Sequence, residues 1–128
     1  MVDEAGLPVR LLITPGQASD KISVPALLDG LPAAKALVAD RGYDSDAILA
    51  LAQERGCAAH IPSTARRRIG RSVPPDLYRK RNLVERFFCK LKQFRRIATR
   101  FDKLARNYLA ALYLSATRIW LRQVESTL

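Results

Sequence analysis

The sequence predicts an α/β fold, and three observations support that prediction. Short apolar runs alternate with helical patterns, which is typical of strands and helices that share a sheet. The 128 residues are 48% hydrophobic and 27% charged, an ordinary globular mixture with enough length for a core. The more basic second half has a helical rather than a strand-like repeat. We expect a single domain over residues 1–128, with a partial α/β sheet in 1–62, a basic loop in 63–75 and a helical part in 76–128.

The first half of the chain predicts three strands and two helices. Residues 7–14 are rich in branched side chains and precede a Pro-Gly turn, so they are predicted as a strand that follows a hairpin turn at residues 3–6. Ser45 and Gly56 are predicted as the cap and the stop of one helix. The remaining elements are predicted as a helix over 23–31, a strand over 35–40, a helix over 46–55 and a strand over 57–62.

The second half predicts a loop and two helices. Residues 63–73 are polar and basic without periodicity, so they are predicted as a surface loop. A single long helix is predicted over 75–100, because apolar residues recur there at spacings of three, four and seven, with Phe88 on the buried face. A final helix is predicted over residues 103–124.

Five polar side chains fall on one stripe of the predicted long helix. At about 3.6 residues per turn they lie at the border of the apolar face. They are Tyr78, Arg81, Glu85, Lys92 and Arg96. Glu85 is the acid in this cationic stripe, and two interpretations stand. It neutralises the cations as an ion-pair partner, which is the more common role, or it is a metal or proton ligand among phosphate-binding cations.

Asp40 is the second candidate carboxylate. It closes the predicted strand 35–40, and ligands of open α/β sheets collect at the carboxyl ends of strands. A turn or helix-capping Asp is an equally common alternative. Asp44 and Asp46 are predicted as turn and first-turn residues, and His60 as a packed side chain of a buried strand. Neither a P-loop nor a Rossmann glycine pattern occurs.

The net charge of +10 is concentrated in one block. Residues 66–106 hold 15 Lys or Arg against three acids, whereas the rest of the chain is slightly acidic. Such a block predicts nucleic acid as the partner, and its aromatic residues at core spacing argue against a helix lying on a membrane. The sequence has no run of about 18 apolar residues, so no transmembrane helix is predicted. Cys57 and Cys89 fit reduced thiols in a cytosolic protein.

Three blocks of the sequence together resemble the DDE transposases of bacterial insertion sequences. Tyr78, Arg81, Glu85 and Lys92 have the spacing Y-(2)-R-(3)-E-(6)-K that surrounds the third catalytic acid of that family. The segments GLPVRLLITPGQASD and VADRGYDSD match upstream of it, in the same order. The likeness covers essentially the whole chain and is closest to the insertion-sequence-five group. It implies an α/β, RNase H-like catalytic fold followed by two long C-terminal helices.

The resemblance also implies site residues. Asp40 matches the second acid of the catalytic triad and Glu85 the third, so both are predicted as catalytic residues and as ligands of two Mg²⁺ ions. Water would first free a 3′-hydroxyl, which would then attack target DNA. Tyr78, Arg81 and Lys92 would contact phosphates of the transposon ends. The basic stripe and loop, apart from the resemblance, add Arg96, Arg66, Arg67 and Arg68 as predicted DNA contacts.

One departure from the family bears on activity. The first acid of the triad lies on the first strand, upstream of this sequence, and Asp3 matches an acid at a turn between the second and third strands. We therefore expect an incomplete RNase H-like fold that lacks the first, central strand and most of the second. The chain is predicted as the C-terminal part of a transposase, from a second reading frame or a truncated copy, with nil or very weak strand transfer alone. Self-association or an upstream transposase segment is the expected protein partner.

Two further function classes stay open beside the enzyme. A non-catalytic basic fragment that regulates or competes with full-length transposase would bind DNA without a metal ion. A helical interaction fragment, in which Glu85 only balances charge, would not bind DNA even at low salt. The expected location is the bacterial cytoplasm, in association with the nucleoid.

Overall fold

The computed structural model describes residues 1–100 and 102–128 and divides into two compact units. Unit 1 consists of residues 1–13 together with 82–128, and unit 2 consists of residues 14–81. Each unit has its own cluster of buried apolar side chains. The structure is of the α/β class, with a small parallel sheet and six α-helices in the described part of the chain. The single domain expected over the whole chain stays a prediction.

Unit 2 is built on a pair of parallel strands. β1 (Ala36–Val38) and β2 (Ala58–His60) pair so that the first residue of each strand lies opposite the first residue of the other. Helix α2 (Asp46–Glu54) connects them, because two parallel strands need a crossover rather than a tight turn. The strands confirm the predictions for residues 35–40 and 57–62, although each is only three residues long.

Local signals place the helices of unit 2. The hydroxyl of Ser45 accepts a hydrogen bond from the backbone N–H of Ile48 at 3.2 Å, so Ser45 caps α2 as predicted. Gly56 follows the helix with a φ of +65°, a conformation that favours glycine. Helix α1 (Val24–Leu28) is shorter than the helix predicted over 23–31, because the backbone of Asp29, at φ −58° and ψ 134°, leaves the helical conformation. The buried cluster of this unit consists of Val24, Ile48 and Ile61.

The first residues of unit 1 form a hairpin turn. The Asp3 carboxylate accepts hydrogen bonds from the N–H groups of Ala5 and Leu7, both at 2.9 Å, which confirms the predicted turn at residues 3–6. The strand predicted over 7–14 is wrong in the described structure, where a single antiparallel bridge joins Val2 and Pro8. Proline has no N–H to donate, so it does not extend a ladder of hydrogen bonds.

The single long helix predicted over residues 75–100 is also wrong. Three helices occupy that segment, namely α3 (Pro75–Arg79), α4 (Asn82–Lys92) and α5 (Arg95–Ala98). Lys80 and Arg81 donate their N–H groups to the third preceding carbonyl, which tightens the backbone and ends α3. Phe94 is extended, with φ −83° and ψ 106°, so α5 starts anew. The apolar repeat continues through both interruptions, which is why periodicity did not reveal them.

The core of unit 1 is helical. α6 (Ala105–Thr127) confirms the final helix predicted over 103–124 and packs on α4 and α5. Within α4 the buried side chains are Phe87 and Leu91, whereas Phe88, predicted on the buried face, is 52% exposed. The buried cluster consists of Leu7, Leu11, Phe87, Leu91, Ile97, Leu112, Ala116 and Ile119. The indole N–H of Trp120 donates to the carbonyl of Pro8 at 2.8 Å and fastens the hairpin turn to α6.

Asp44 is a buried carboxylate on which the basic loop of unit 2 folds. Its side chain has no exposed surface and accepts a hydrogen bond from the N–H of Thr64 at 2.8 Å. The guanidinium of Arg67 donates to it from Nη2 at 2.9 Å, and Arg71 donates to the same oxygen. Paired cations and N–H groups replace the water that a buried anion loses. The loop predicted over 63–73 as a surface segment is therefore held against the protein by two of its arginines.

The Asp44 ion pairs predict a pH dependence of stability. Hydrogen bonds from Arg67 and from the N–H of Thr64, with a further one from Arg71, hold the pKa of Asp44 well below its usual range. A lowered pKa contributes stability above the pKa of an unfolded Asp, about 4, and that stability is lost as pH falls below it. We expect the free energy of unfolding to fall between about pH 5 and pH 2, and to fall less steeply in Asp44→Asn.

Urea denaturation at a series of pH values measures this difference. The exposed acid Glu54 in α2 provides a matched control, so Glu54→Gln should keep the slope of the wild-type chain. An equal pH dependence in Asp44→Asn and wild type would show that the buried ion pairs do not contribute as stated.

Candidate functional site

Asp40 lies two residues beyond the end of β1 and is half-buried. Its Oδ1 atom accepts a hydrogen bond from the N–H of Gly42 at 2.8 Å, so it caps the 3₁₀ turn Arg41–Tyr43. The turn-forming role that the sequence left open for Asp40 is thus present. A carboxylate has two oxygens and several lone pairs, so one N–H bond leaves acceptor capacity for a cation. The unused lone pairs of the Asp40 carboxylate therefore lie near the carboxyl end of the parallel strand β1.

Gly42 makes this close turn sterically possible. A Cβ atom built on Gly42 would lie 2.9 Å from Oδ1 of Asp40, closer than real Cβ contacts. The absence of a side chain therefore lets the backbone N–H approach the carboxylate. The D-x-G spacing predicted a turn at this position, but not the close approach of the Gly42 backbone to the Asp40 carboxylate.

The Asp40 carboxylate also affects the pKa of Tyr43. Burial raises the pKa of the Tyr43 hydroxyl, and the negative charges of Asp20 and Asp40 raise it further. Tyr43 therefore stays protonated beside the anionic Asp40. This phenol is not a general base at neutral pH.

Glu85 lies in the first turn of α4 and is exposed. A negative charge is favoured there by the helix dipole. Lys92 follows seven residues later, about 20° short of two full turns, so it shares the exposed face with Glu85. The buried Phe87 and Leu91 point to other sides of the helix. The structure thus brings Glu85 and Lys92 to one face, but that face is exposed rather than bordering the core.

Tyr78 and Arg81 belong to unit 2, at α3 and the turn after it. The guanidinium carbon of Arg81 lies 5.5 Å from the centre of the Tyr78 ring, a cation–π contact. The predicted stripe of five residues on one helix is therefore wrong, because α3 ends before α4 begins. Tyr78 and Arg81 are nevertheless in contact with each other.

Arg96 is held in an ion pair within unit 1. Its Nε and Nη2 atoms donate to the two oxygens of Asp102 at 2.9 and 2.7 Å. This bidentate pairing lowers the pKa of Asp102 and raises the pKa of Arg96. Arg96 lies on α5, so it does not share the helix of Glu85 as predicted.

The three consecutive arginines of the basic loop have different environments. Arg66 and Arg68 are exposed. Arg67 is half-buried, and its guanidinium donates to Asp44 and also to Asp46. Hydrogen bonds to these two carboxylates, Asp44 first, raise the pKa of Arg67 above its ordinary value. Sequence reasoning treated the three arginines as equivalent DNA contacts and missed both Asp44 and Arg71 as anchors of the loop.

The described part of the chain offers carboxylates, the type of ligand that a hard cation prefers. It does not bring three such ligands together. Carboxylate oxygens are the ligands that Mg²⁺ prefers, and Asp40 and Glu85 both offer them. Among residues 1–100 and 102–128, no three His, Cys, Asp or Glu side chains lie together as a candidate metal centre. In the same residues, no helix is both long and apolar enough to cross a bilayer.

Comparison with known proteins bears on the whole chain. The family described as "Transposase DDE domain" matches residues 37–122, a range that contains all of the predicted site residues. No solved structure matches the chain significantly.

Two relatives extend the match. A Brucella ovis protein described as "Putative transposase for insertion sequence element IS6501" is 36% identical over 128 residues, which cover 95% of this chain and 95% of the relative. A Burkholderia cepacia protein with the same wording for IS402 is 30% identical over 142 aligned residues. The chain is covered completely in that second alignment but spans 65% of the relative's length. On the family match and the first relative together, this chain belongs to the DDE transposases of bacterial insertion sequences.

Proposed function

We propose that the chain acts in transposition of an insertion sequence, binding DNA at the nucleoid and contributing Asp40 and Glu85 to metal-dependent cleavage and strand transfer. The observation that carries this proposal is the family match over residues 37–122, which includes both carboxylates. Asp40 follows a parallel strand and Glu85 opens an exposed helix face. Both positions suit carboxylates that must face a nucleic acid rather than a core.

An RNase H-like fold is part of the proposal. Its support is the βαβ arrangement of unit 2, in which α2 connects the parallel strands β1 and β2. Open sheets with such crossovers bind ligands beyond the carboxyl ends of their strands. Asp40 lies at that end of β1.

Asp40 and Glu85 are the residues that would hold Mg²⁺. That ion keeps several waters and takes one or two carboxylates together with substrate phosphates, so Asp40 and Glu85 would supply part of the ligand set, beside DNA phosphates and the first acid of the family's triad. Divalent ions supply charge stabilisation to the attacking and leaving oxygens of a phosphodiester displacement. The task of the protein is to orient both carboxylates. The Gly42 N–H orients Oδ1 of Asp40, and α4 presents Glu85 on its exposed face.

The exposed cations of the chain would hold the DNA backbone. Lys92 shares the exposed face of Glu85, and Arg66 and Arg68 are exposed on the basic loop. Tyr78 and Arg81 offer a ring and a guanidinium side by side. Contacts of this kind position a duplex and provide affinity that falls with salt, without reading the base sequence. Arg96 remains a proposed contact, with Asp102 as its competing partner.

A second candidate function is a non-catalytic DNA-binding fragment that competes with full-length transposase. The observation that favours it is the basic block of residues 66–106, which includes the exposed Arg66 and Arg68 and would bind phosphates without a metal ion. The two candidates share DNA binding and differ in whether Asp40 and Glu85 are needed for transposition.

We predict that Glu85→Gln and Asp40→Asn each reduce transposition of the native insertion element by at least about 100-fold. Loss of a metal ligand removes several kcal/mol of charge stabilisation, and each 1.4 kcal/mol is about tenfold in rate. The measurement is the transposition frequency in cells, with Glu125→Gln, an exposed acid of α6, as the matched control. Transposition that persists in both carboxylate variants while DNA binding is unchanged would favour the non-catalytic fragment.

We predict that Lys92→Gln weakens DNA binding uniformly across sequences. Loss of one phosphate contact should reduce the slope of log K against log salt by about 0.9. Fluorescence anisotropy with a labelled duplex over a salt series measures that slope. Lys35→Gln removes an exposed lysine outside the basic block and should leave the slope unchanged. Equal effects of the two substitutions would show that charge in general, rather than the α4 face, binds DNA.

A further inference from the structure

The four arginines of residues 63–73 divide into two pairs by their contacts. Arg67 and Arg71 are half-buried, with 24% and 32% of their side-chain surface exposed, and both pair with the fully buried side chain of Asp44. Arg66 and Arg68 are exposed, and neither forms an ion pair with any residue of 1–100 or 102–128. The same residue type, in one short loop, thus has two environments.

Arg67 has little donor capacity left for a phosphate. Its Nε donates to both oxygens of Asp44, at 3.1 and 3.0 Å, its Nη2 donates to Asp44 at 2.9 Å, and its Nη1 donates to Asp46. Bidentate binding of a phosphate uses the same planar fork of donors. A phosphate would therefore have to displace a carboxylate from a guanidinium that is already bound through all three nitrogens.

Arg71 closes the loop on the strand that precedes it. Its Nη2 donates to Asp44 and to the carbonyl of Ile61 at 3.3 Å. Its backbone N–H donates to the hydroxyl of Ser63 at 2.7 Å. The Nε of Arg71 is buried and without a hydrogen-bond partner in the described structure. The loop is consequently fastened at both ends of the segment that carries Arg66 and Arg68.

Asp44 also belongs to the turn that holds Asp40. The N–H of Asp44 donates to the carbonyl of Arg41 at 3.1 Å, and the N–H of Tyr43 donates to the carbonyl of Asp40 at 3.1 Å. The Lys21 ammonium donates to the Asp44 carbonyl at 3.1 Å. One residue therefore ties the end of β1 to the arginine loop.

We propose that Asp44 is a positioning residue for DNA binding: it withholds Arg67 and Arg71 from the DNA backbone and uses them to hold the loop so that Arg66 and Arg68 contact phosphates. This inference rests on the proposed DNA binding and deepens it. It separates the arginines of one loop into two anchors and two contacts. The competing arrangement, in which all four arginines contact phosphates, requires the Asp44 pairs to break on binding.

Single glutamine substitutions in the full chain test this division. The probe is a random-sequence DNA duplex, and the binding constant is measured between about 50 and 200 mM KCl. Arg66→Gln and Arg68→Gln should each reduce the salt slope by about 0.9 and leave the melting temperature unchanged. Arg67→Gln and Arg71→Gln should lower the melting temperature by several degrees, because each leaves Asp44 with one cation fewer, and should change the salt slope by much less than 0.9.

Asp44→Asn provides a result that a merely structural role would not produce. In a chain that already carries Arg66→Gln and Arg68→Gln, neutralising the buried carboxylate frees Arg67 and Arg71 to bind phosphates and has no further loop contact to lose. The salt slope of this triple variant should therefore be steeper than that of the double variant by up to about 1.8, while circular dichroism shows a folded chain. Loss of structure alone would weaken binding instead. The four arginine variants keep the proposal testable should Asp44→Asn fail to fold.

Three outcomes would overturn the proposal. Arg67→Gln could reduce the slope as much as Arg66→Gln without a loss of melting temperature. Arg66→Gln and Arg68→Gln could leave the slope unchanged, or the folded triple variant with Asp44→Asn could show no steeper slope than the double variant. Failure of the proposed DNA binding would give a different result, because the wild-type chain would then show no salt-dependent affinity for the duplex. The difference in melting temperature between the variants of Arg67 and Arg71 and those of Arg66 and Arg68 would still be measurable.

Discussion

A carboxylate without exposed surface keeps its charge only where cations and N–H groups replace lost water. Asp44 meets that requirement with Arg67, Arg71 and the N–H of Thr64, and two conformations in unit 2 depend on it. One is the turn after β1, which carries Asp40, and the other is the basic loop. Because the two arginines lie 23 and 27 positions away from Asp44, the ion pairs join segments that hydrogen bonds of the two short strands alone do not connect.

Local signals predicted local structure well. Ser45 as a cap, Gly56 as a stop and the turn at Asp3 are each determined within four residues, and the structure has all three. The two parallel strands followed from short apolar runs with a helical pattern between them. Such features depend on propensities and nearest neighbours, which a single sequence contains.

The helix breaks at Lys80 and Phe94 could not be predicted in the same way. The apolar repeat over 75–100 survives both breaks, because each interruption is short and the next helix resumes with its own apolar face. Phe87 and Phe88 are adjacent, so a small change of helix phase decides which one is buried. Phe87 rather than Phe88 packs in the cluster that includes side chains of α6. Such packing depends on the whole fold and not on the segment alone.

In the candidate site, the sequence predicted which residue types matter but not the contacts that each residue makes. Chemistry and spacing singled out Asp40, Glu85 and the basic block as candidates, and the family resemblance predicted catalytic roles for the two carboxylates. The role of each arginine could not be predicted. Arg66, Arg67 and Arg68 are the same residue type in one short loop, and of the three only Arg67 pairs with Asp44. The 22 Lys and Arg of the sequence therefore overstate the number of cations without a carboxylate partner. Arg67 and Arg71 in unit 2, and Arg96 in unit 1, already have such partners within the protein, so a proposed phosphate contact has fewer free cations to use than the composition indicates.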